Sequence, residues 1–323
     1  MVRTGASAYV KYGFETSYAG IGAASDINKS FGLQDKMSSL TLTNNKVNLA
    51  KLNQNTVDRY AYGQQSGSAS VSFTLSNPWL FGMVLSPPVR TGTAGARVFT
   101  WQNSTLLPEA RTVQIEVGID DSTNMTRTLK GGVVGAVAIS TSVGGLVDCS
   151  TDITYGQETA PSTALSAPAL PSVQSPYTFA HAELTFAGAV VAQCQDVSLN
   201  LSQNAELLYG LNSHSAVDAY KKVLDITGSF KAAWQDKVLL EHLLDQLLAN
   251  GTGETIGGSS ELEFKLTFTK SATESITINC YGLTLNDLGL SGLEPVEVLF
   301  SDVSFTAKTI KVVANSTMET EDG

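Results

Sequence analysis

Ser39-Leu40-Thr41-Leu42-Thr43-Asn44-Asn45 returns about 159 positions later as Ser198-Leu199-Asn200-Leu201-Ser202-Gln203-Asn204. Working outward, Leu52-Asn53 returns as Leu211-Asn212. Val57-Asp58-x-Tyr60 returns as Val217-Asp218-x-Tyr220 after one inserted residue. Phe73 and a short apolar run over 78–85 match Phe230 and a longer run over 234–248. Residues 113–117 match 262–266, and Gly132-Val133 matches Gly282-Leu283. The blocks keep one order in both halves, which is the mark of an internal repeat and points to two β-rich copies of one unit.

Period-2 alternation carries the β reading. Leu40 and Leu42, then Val47 and Leu49, alternate with polar neighbours, and Asn44-Asn45 reads as a turn between them. Val71, Phe73 and Leu75 alternate again, as do Leu262, Phe264, Leu266 and Phe268. Further strands are predicted over 8–14, 111–117, 127–129, 133–139, 146–153, 275–280 and 296–305. Two helices are predicted. A two-turn helix starts at Asn77-Pro78, an N-cap followed by proline. A longer one over 234–248 puts Trp234, Val238, Leu239, Leu243, Leu247 and Leu248 on one side and stops at Asn250-Gly251.

The punctuation divides the chain. Residues 1–36 read as an N-terminal arm and 37–155 as a first unit, with 87–110 as a Pro- and Gly-bearing insert. Residues 156–178 hold four prolines and read as a linker. Residues 179–313 form the second unit, and 314–323 a loose acidic tail.

Composition narrows function. A chain of 323 residues, 42% hydrophobic and 15% charged, has the material for two packed cores and excludes global disorder. There is no run of about 18 apolar residues, so no membrane partner is expected. Residues 1–11 lack the apolar stretch of a secretory signal. The net charge of -10 disfavours a phosphate-binding surface. It leaves room for a surface past which nucleic acid slides without sticking. Cys149, Cys194 and Cys280 are far apart and lack a CxxC, so they read as buried free thiols.

No residue is assigned a catalytic, metal-binding or cofactor-binding role. His181, His214 and His242 lack a second ligand at metal spacing. Gly131-Gly132 and Gly251-Thr252-Gly253 lack the lysine and the strand-to-helix context of a phosphate loop and read as turns. Asp120-Asp121 reads as a solvated hairpin tip. The sequons at Asn103, Asn124 and Asn315 matter only in a glycosylating host. The chain is therefore not expected to be an enzyme.

Tyr12-Gly13-Phe14-Glu15-Thr16-Ser17-Tyr18, followed by a Ser-Leu-x-Leu strand, resembles the opening of tail tube proteins of tailed viruses. So does Arg127-Thr-Leu-Lys-Gly-Gly-Val-Val134 leading to Gly144-Gly145-Leu-Val-Asp148. The resemblance implies a mainly β fold: a sandwich or half-barrel with one packed helix per unit, its sheets joining edge to edge into rings that stack as a hollow tube. Members usually carry one unit and form six-unit rings. Two units per chain then imply three chains per ring.

The implied partners are other copies of the chain, other tail proteins and genomic DNA passing non-specifically during ejection. The implied location is the virion tail, after assembly in the host cytoplasm. The polar hairpin tips Gln54-Asn55 and Ser213-His214 are the expected contacts to the next ring, and the lumen is expected to be net negative. A two-domain virion-surface protein, adhesin or decoration protein is the alternative on the same composition.

Overall fold

The computed structural model describes residues 8–21, 26–49, 59–85, 87–103, 111–119, 125–159, 175–191, 193–233, 262–291 and 300–317. The chain is mainly β. Its first half holds β1 (Ala8–Phe14), β2 (Leu33–Leu49), β3 (Arg59–Thr74), a helical turn α1 (Phe81–Val84), β4 (Val89–Thr93), β5 (Ala96–Gln102), β6 (Val113–Ile119), β7 (Met125–Ser142), β8 (Asp148–Tyr155) and β9 (Gln157–Thr159). The second half holds β10 (Ala182–Phe186), β11 (Ala189–Val190), β12 (Cys194–Ser202), β13 (Glu206–Tyr209), β14 (Ala216–Tyr220) and β15 (Asp225–Ala233). It ends with β16 (Glu263–Ser271), β17 (Glu274–Tyr281), β18 (Thr284–Ser291), β19 (Phe300–Ala307) and β20 (Thr309–Ser316).

The pairing order of one half recurs in the other. In the first half β1 pairs β6, β6 pairs the front of β7, and β9 closes on that same stretch. The rear of β7 pairs β8, β8 pairs β3, and β3 pairs β2. In the second half the equivalent runs are β10-β16-β17-β20 and β18-β19-β15-β12. β12 also pairs the rear of β7, which fuses the two inner runs into one antiparallel path, β18-β19-β15-β12-β7-β8-β3-β2.

Register ties the halves together residue by residue. Leu40 faces Ala69 in the first, and Leu199 faces Gly228 in the second, so the opening sequence match is also a structural one. Two other matches shift. Gly131 and Gly282 both have positive φ, 62° and 65°, a region that favours glycine. A bulge then follows both, between Val134 and Ala136 and between Leu285 and Asp287. Gly282 therefore corresponds to Gly131, one residue before the sequence match. Phe230 likewise corresponds to Val71 rather than Phe73, because their pairings fall on Val303 and Thr151, which occupy equivalent sites.

A shared core lies between the inner path and the outer strands. Phe186 packs tilted against Phe230 with ring centroids 5.4 Å apart, and Phe264 lies 4.7 Å from Phe305. Tyr12, Phe31 and Phe73 do the same work in the first half, with centroids 4.7 and 5.8 Å apart. Such pairs gain from both area burial and ring geometry.

Several local expectations change. Asn44-Asn45 is no turn: β2 runs straight through it with a bulge between Asn44 and Lys46, so the hairpin with β3 is longer than the alternation suggested. The expected two-turn helix is a single buried turn, Phe81–Val84. Strands expected over 127–129 and 133–139 are one strand, β7, bent at Gly131. The insert 87–110 carries a hairpin, β4-β5, whose β5 pairs β20 of the other half. Its inward residues Phe99 and Trp101 pack with Trp79, an alternation that the flanking Pro and Gly obscured. The acidic tail overlaps β20, which continues to Ser316. The helix over 234–248 lies outside the described residues, as does most of the Pro-rich linker.

Candidate assembly surfaces

The eight-strand path has one face against the core and one against solvent. Alternation assigns the residues: in β8, Cys149, Thr151, Ile153 and Tyr155 are buried, while Asp148, Ser150 and Asp152 are exposed. β12 does the same, with Val197, Leu199 and Leu201 inward and Asp196, Ser198 and Asn200 outward. Across the path the solvent face is serine, threonine, alanine and aspartate. Among the described residues it carries Asp148, Asp152, Asp196, Asp225, Asp287 and Asp302 against Lys36 and Lys231, with the exposed Lys46 and Arg59 further out along the β2-β3 hairpin. A shallow groove on it is lined mostly by small and polar residues, among them Ser140, Ser142, Ser198, Ser229, Gly289 and Ser304, with Leu146 at its margin. Short side chains hold its shape through contacts such as Ser70 Oγ donating to Asp152 at 2.5 Å and the Ser198–Ser229 hydroxyl pair at 2.8 Å.

Among the described residues the two ends of the path are open. β18 pairs only β19, and β2 pairs only β3. Unpaired edges expose a row of backbone donors and acceptors that can template another chain. The β2 edge also exposes apolar side chains: Leu42 is 43% exposed, whereas its counterpart Leu201, covered by β7, is 0% exposed. Val47, Leu49 and Tyr60 continue this surface along the hairpin.

The second-half hairpin takes another course. After Ser202 it breaks at Gln203-Asn204-Ala205, with Asn204 at φ 47°, and resumes as the separate two-stranded sheet β13-β14. That sheet lies on the first half. Tyr209 Oη donates to Gln65 O at 2.8 Å, and the Gln65 N–H donates to His214 O at 2.7 Å. Gln157 Nε2 donates to Ala216 O at 3.3 Å. At its base Lys221 is buried and donates to Val84 O at 3.0 Å and Met83 O at 3.4 Å, capping the carbonyl end of α1. Burial pushes the Lys221 ammonium down to about 8, and the neighbouring Arg111 charge adds to the effect.

Of the four residues read as inter-ring contacts, Gln54 and Asn55 lie outside the described residues. Ser213 and His214 occupy the β13-β14 turn. Ser213 Oγ donates to Ser215 O at 2.6 Å, and His214 Nδ1 lies 3.2 Å from Gly63 O while its ring stays exposed. His181 sits in a capping turn, accepting from the Thr178 N–H at 3.1 Å. Among the described residues no three His, Cys, Asp or Glu side chains converge as a metal site, and no helix is long and apolar enough to cross a membrane. Sequence reading missed the aspartate-bearing face. The signal was present in Asp148-Cys-Ser-Thr-Asp-Ile-Thr-Tyr155, but nothing in the sequence says that the five aspartate-bearing strands align on one face.

No protein of curated function matches the chain. A family model described as phage tail tube protein matches residues 5–307 as one continuous segment. With its mainly β fold and this match over nearly its whole length, the chain belongs to the phage tail tube protein family.

Proposed function

We propose that this chain is the major tail tube subunit, that three copies close a ring, and that rings stack into the conduit through which the genome leaves the virion. The observation that carries this reading is the eight-strand path, apolar on its core face and small, polar and acidic on the other. Joined at its open edges, such a path closes on itself, which removes every edge and turns one face to a lumen. The recurrent pairing order supports a duplication, with units over 37–155 and 179–313. Two units per chain turn a sixfold arrangement into a threefold one.

The aspartates would then line the lumen. DNA carries about one charge per 1.7 Å of axis, and a wall holding six aspartates against two lysines offers it little to bind. Gln54 and Asn55, with Ser213 and the exposed His214, would reach the next ring from the hairpin ends. Other tail proteins would cap the tube, and assembly would take place in the host cytoplasm. Cryo-electron microscopy of the purified protein tests the reading. Ring averages with six lobes from three chains are expected. Six chains per ring would overturn the count, and a persistent monomer under tail-assembly conditions would overturn the function.

A further inference from the structure

The seam between the two halves is built from two strands that each have a counterpart at an end of the path. β12 and the rear of β7 pair antiparallel, with Ser198 facing Ser140, Leu199 facing Ile139, Asn200 facing Ala138, Leu201 facing Val137 and Ser202 facing Ala136. Each partner has a counterpart at an open end of the path. β12 corresponds to β2, since Leu199 faces Gly228 as Leu40 faces Ala69. The rear of β7 corresponds to β18, since both follow a positive-φ glycine and share a bulge at the same place against β8 and β19. The free edges are therefore the two halves of a seam already formed inside the molecule.

We propose that β2 of one chain pairs with β18 of the next in the register of the internal seam: Ser39 with Ser291, Leu40 with Leu290, Thr41 with Gly289, Leu42 with Leu288 and Thr43 with Asp287. This rests on the tube reading and specifies its partner strand and alignment. The contact joins two different edges, so it is heterologous and propagates in one direction round a ring. A two-fold β2-to-β2 pairing is excluded by the template, which never sets equivalent strands against each other. Burial supports the seam. Leu199 and Leu201 are 1% and 0% exposed where it exists, while Leu42 is 43% exposed where it is still open. Register also has to be specific, because a one-residue slip would turn Leu40 and Leu42 to the polar face.

Paired cysteines test the alignment. Facing Cα atoms in an antiparallel ladder lie about 4.5–5.5 Å apart, within disulfide range. Gly289 accepts a Cβ, whose nearest neighbours would be Asp302 atoms at 3.7 and 3.9 Å. With Cys194→Ser as background in every chain, Thr41→Cys combined with Gly289→Cys should give, on oxidation, disulfide-linked chains up to a closed trimer. Mixing the two single variants before assembly should give linked dimers and nothing larger.

Ser39→Cys with Ser291→Cys should behave like the first pair. Thr43→Cys with Gly289→Cys, offset by two residues at about 7–8 Å, should not link. Rings visible by microscopy without the expected links would overturn the seam and leave the tube reading standing. Links without rings would support the seam and remove the tube. Self-linking of Thr41→Cys alone, or linking of the offset pair in place of the aligned ones, would also overturn it. A ladder extending past three would keep the seam and overturn the ring count.

Discussion

At the residue scale the two halves fill equivalent sites with different side chains. In the first, Gly67 and Ala69 face Tyr155 and Ile153; in the second, Ile226 and Gly228 face Ala307 and Phe305. At the first pair large and small have traded places across equivalent strands, while at the second the small residue stays on β3 or β15 and the large one grows from Ile153 to Phe305. A Cβ at Gly228 would overlap the fully buried Phe305 ring. Gly228→Ala should therefore cost about 1–3 kcal/mol through overpacking. Adding Phe305→Ile should recover part of that loss, since Ala69 over Ile153 is the native pair in the other half. Denaturant midpoints of the two single variants and the double decide it. Strictly additive effects would mean that the two sites do not share the space.

At the element scale the halves are fastened by parts that the repeat does not predict. Hairpin β4-β5 leaves the first half and extends the outer sheet of the second, while β13-β14 leaves the second and lies on β3. Lys221 fixes the base of that second crossing by donating to the last carbonyls of α1. Its folded-state pKa, down to about 8, is below the ordinary 10.5. Between about pH 8 and 10.5 the unfolded chain holds a proton that the folded chain has released, so stability attributable to this group rises with pH.

Comparing wild type with Lys221→Met isolates this term, because the other titrating groups contribute to both proteins. The gap in unfolding free energy should move in favour of wild type from about pH 7.5 to about pH 9.5. A gap that stays flat, or moves the other way, would show that the ammonium is not desolvated in the folded protein.

At the scale of the whole molecule, charge placement matters more than net charge. Thirty acidic and twenty basic residues give -10, yet in the proposed tube the surface that would meet DNA is the solvent face of the eight-strand path. Screening confines its field to about 8 Å at physiological salt, enough to act at the wall without filling a wide channel. Reversing the wall should reverse the behaviour. Tubes carrying Asp152→Lys with Asp302→Lys should retain labelled double-stranded DNA at low salt and release it as salt rises, while wild-type tubes retain little at either. Equal retention by both would place these aspartates away from the lumen. Tight, salt-sensitive retention by wild type would overturn the repelling wall itself.

The sequence by itself determined the β class and the strands that carry the opening match, because Leu40-x-Leu42 and Leu199-x-Leu201 sit on a pleat whose period is fixed by the backbone. It also determined the first strand: 8–14 was expected, and β1 occupies Ala8–Phe14. Only the tertiary structure decided which residues correspond where glycines and bulges shift the count, as at Gly131 and Gly282. It alone decided that β7 serves two sheets, that Phe99 and Trp101 cross to the other half, and that six aspartates share one face. Local patterns encode which side of a strand is buried. They do not encode which strand lies beside it, because that choice rests on volumes and edges contributed from far along the chain.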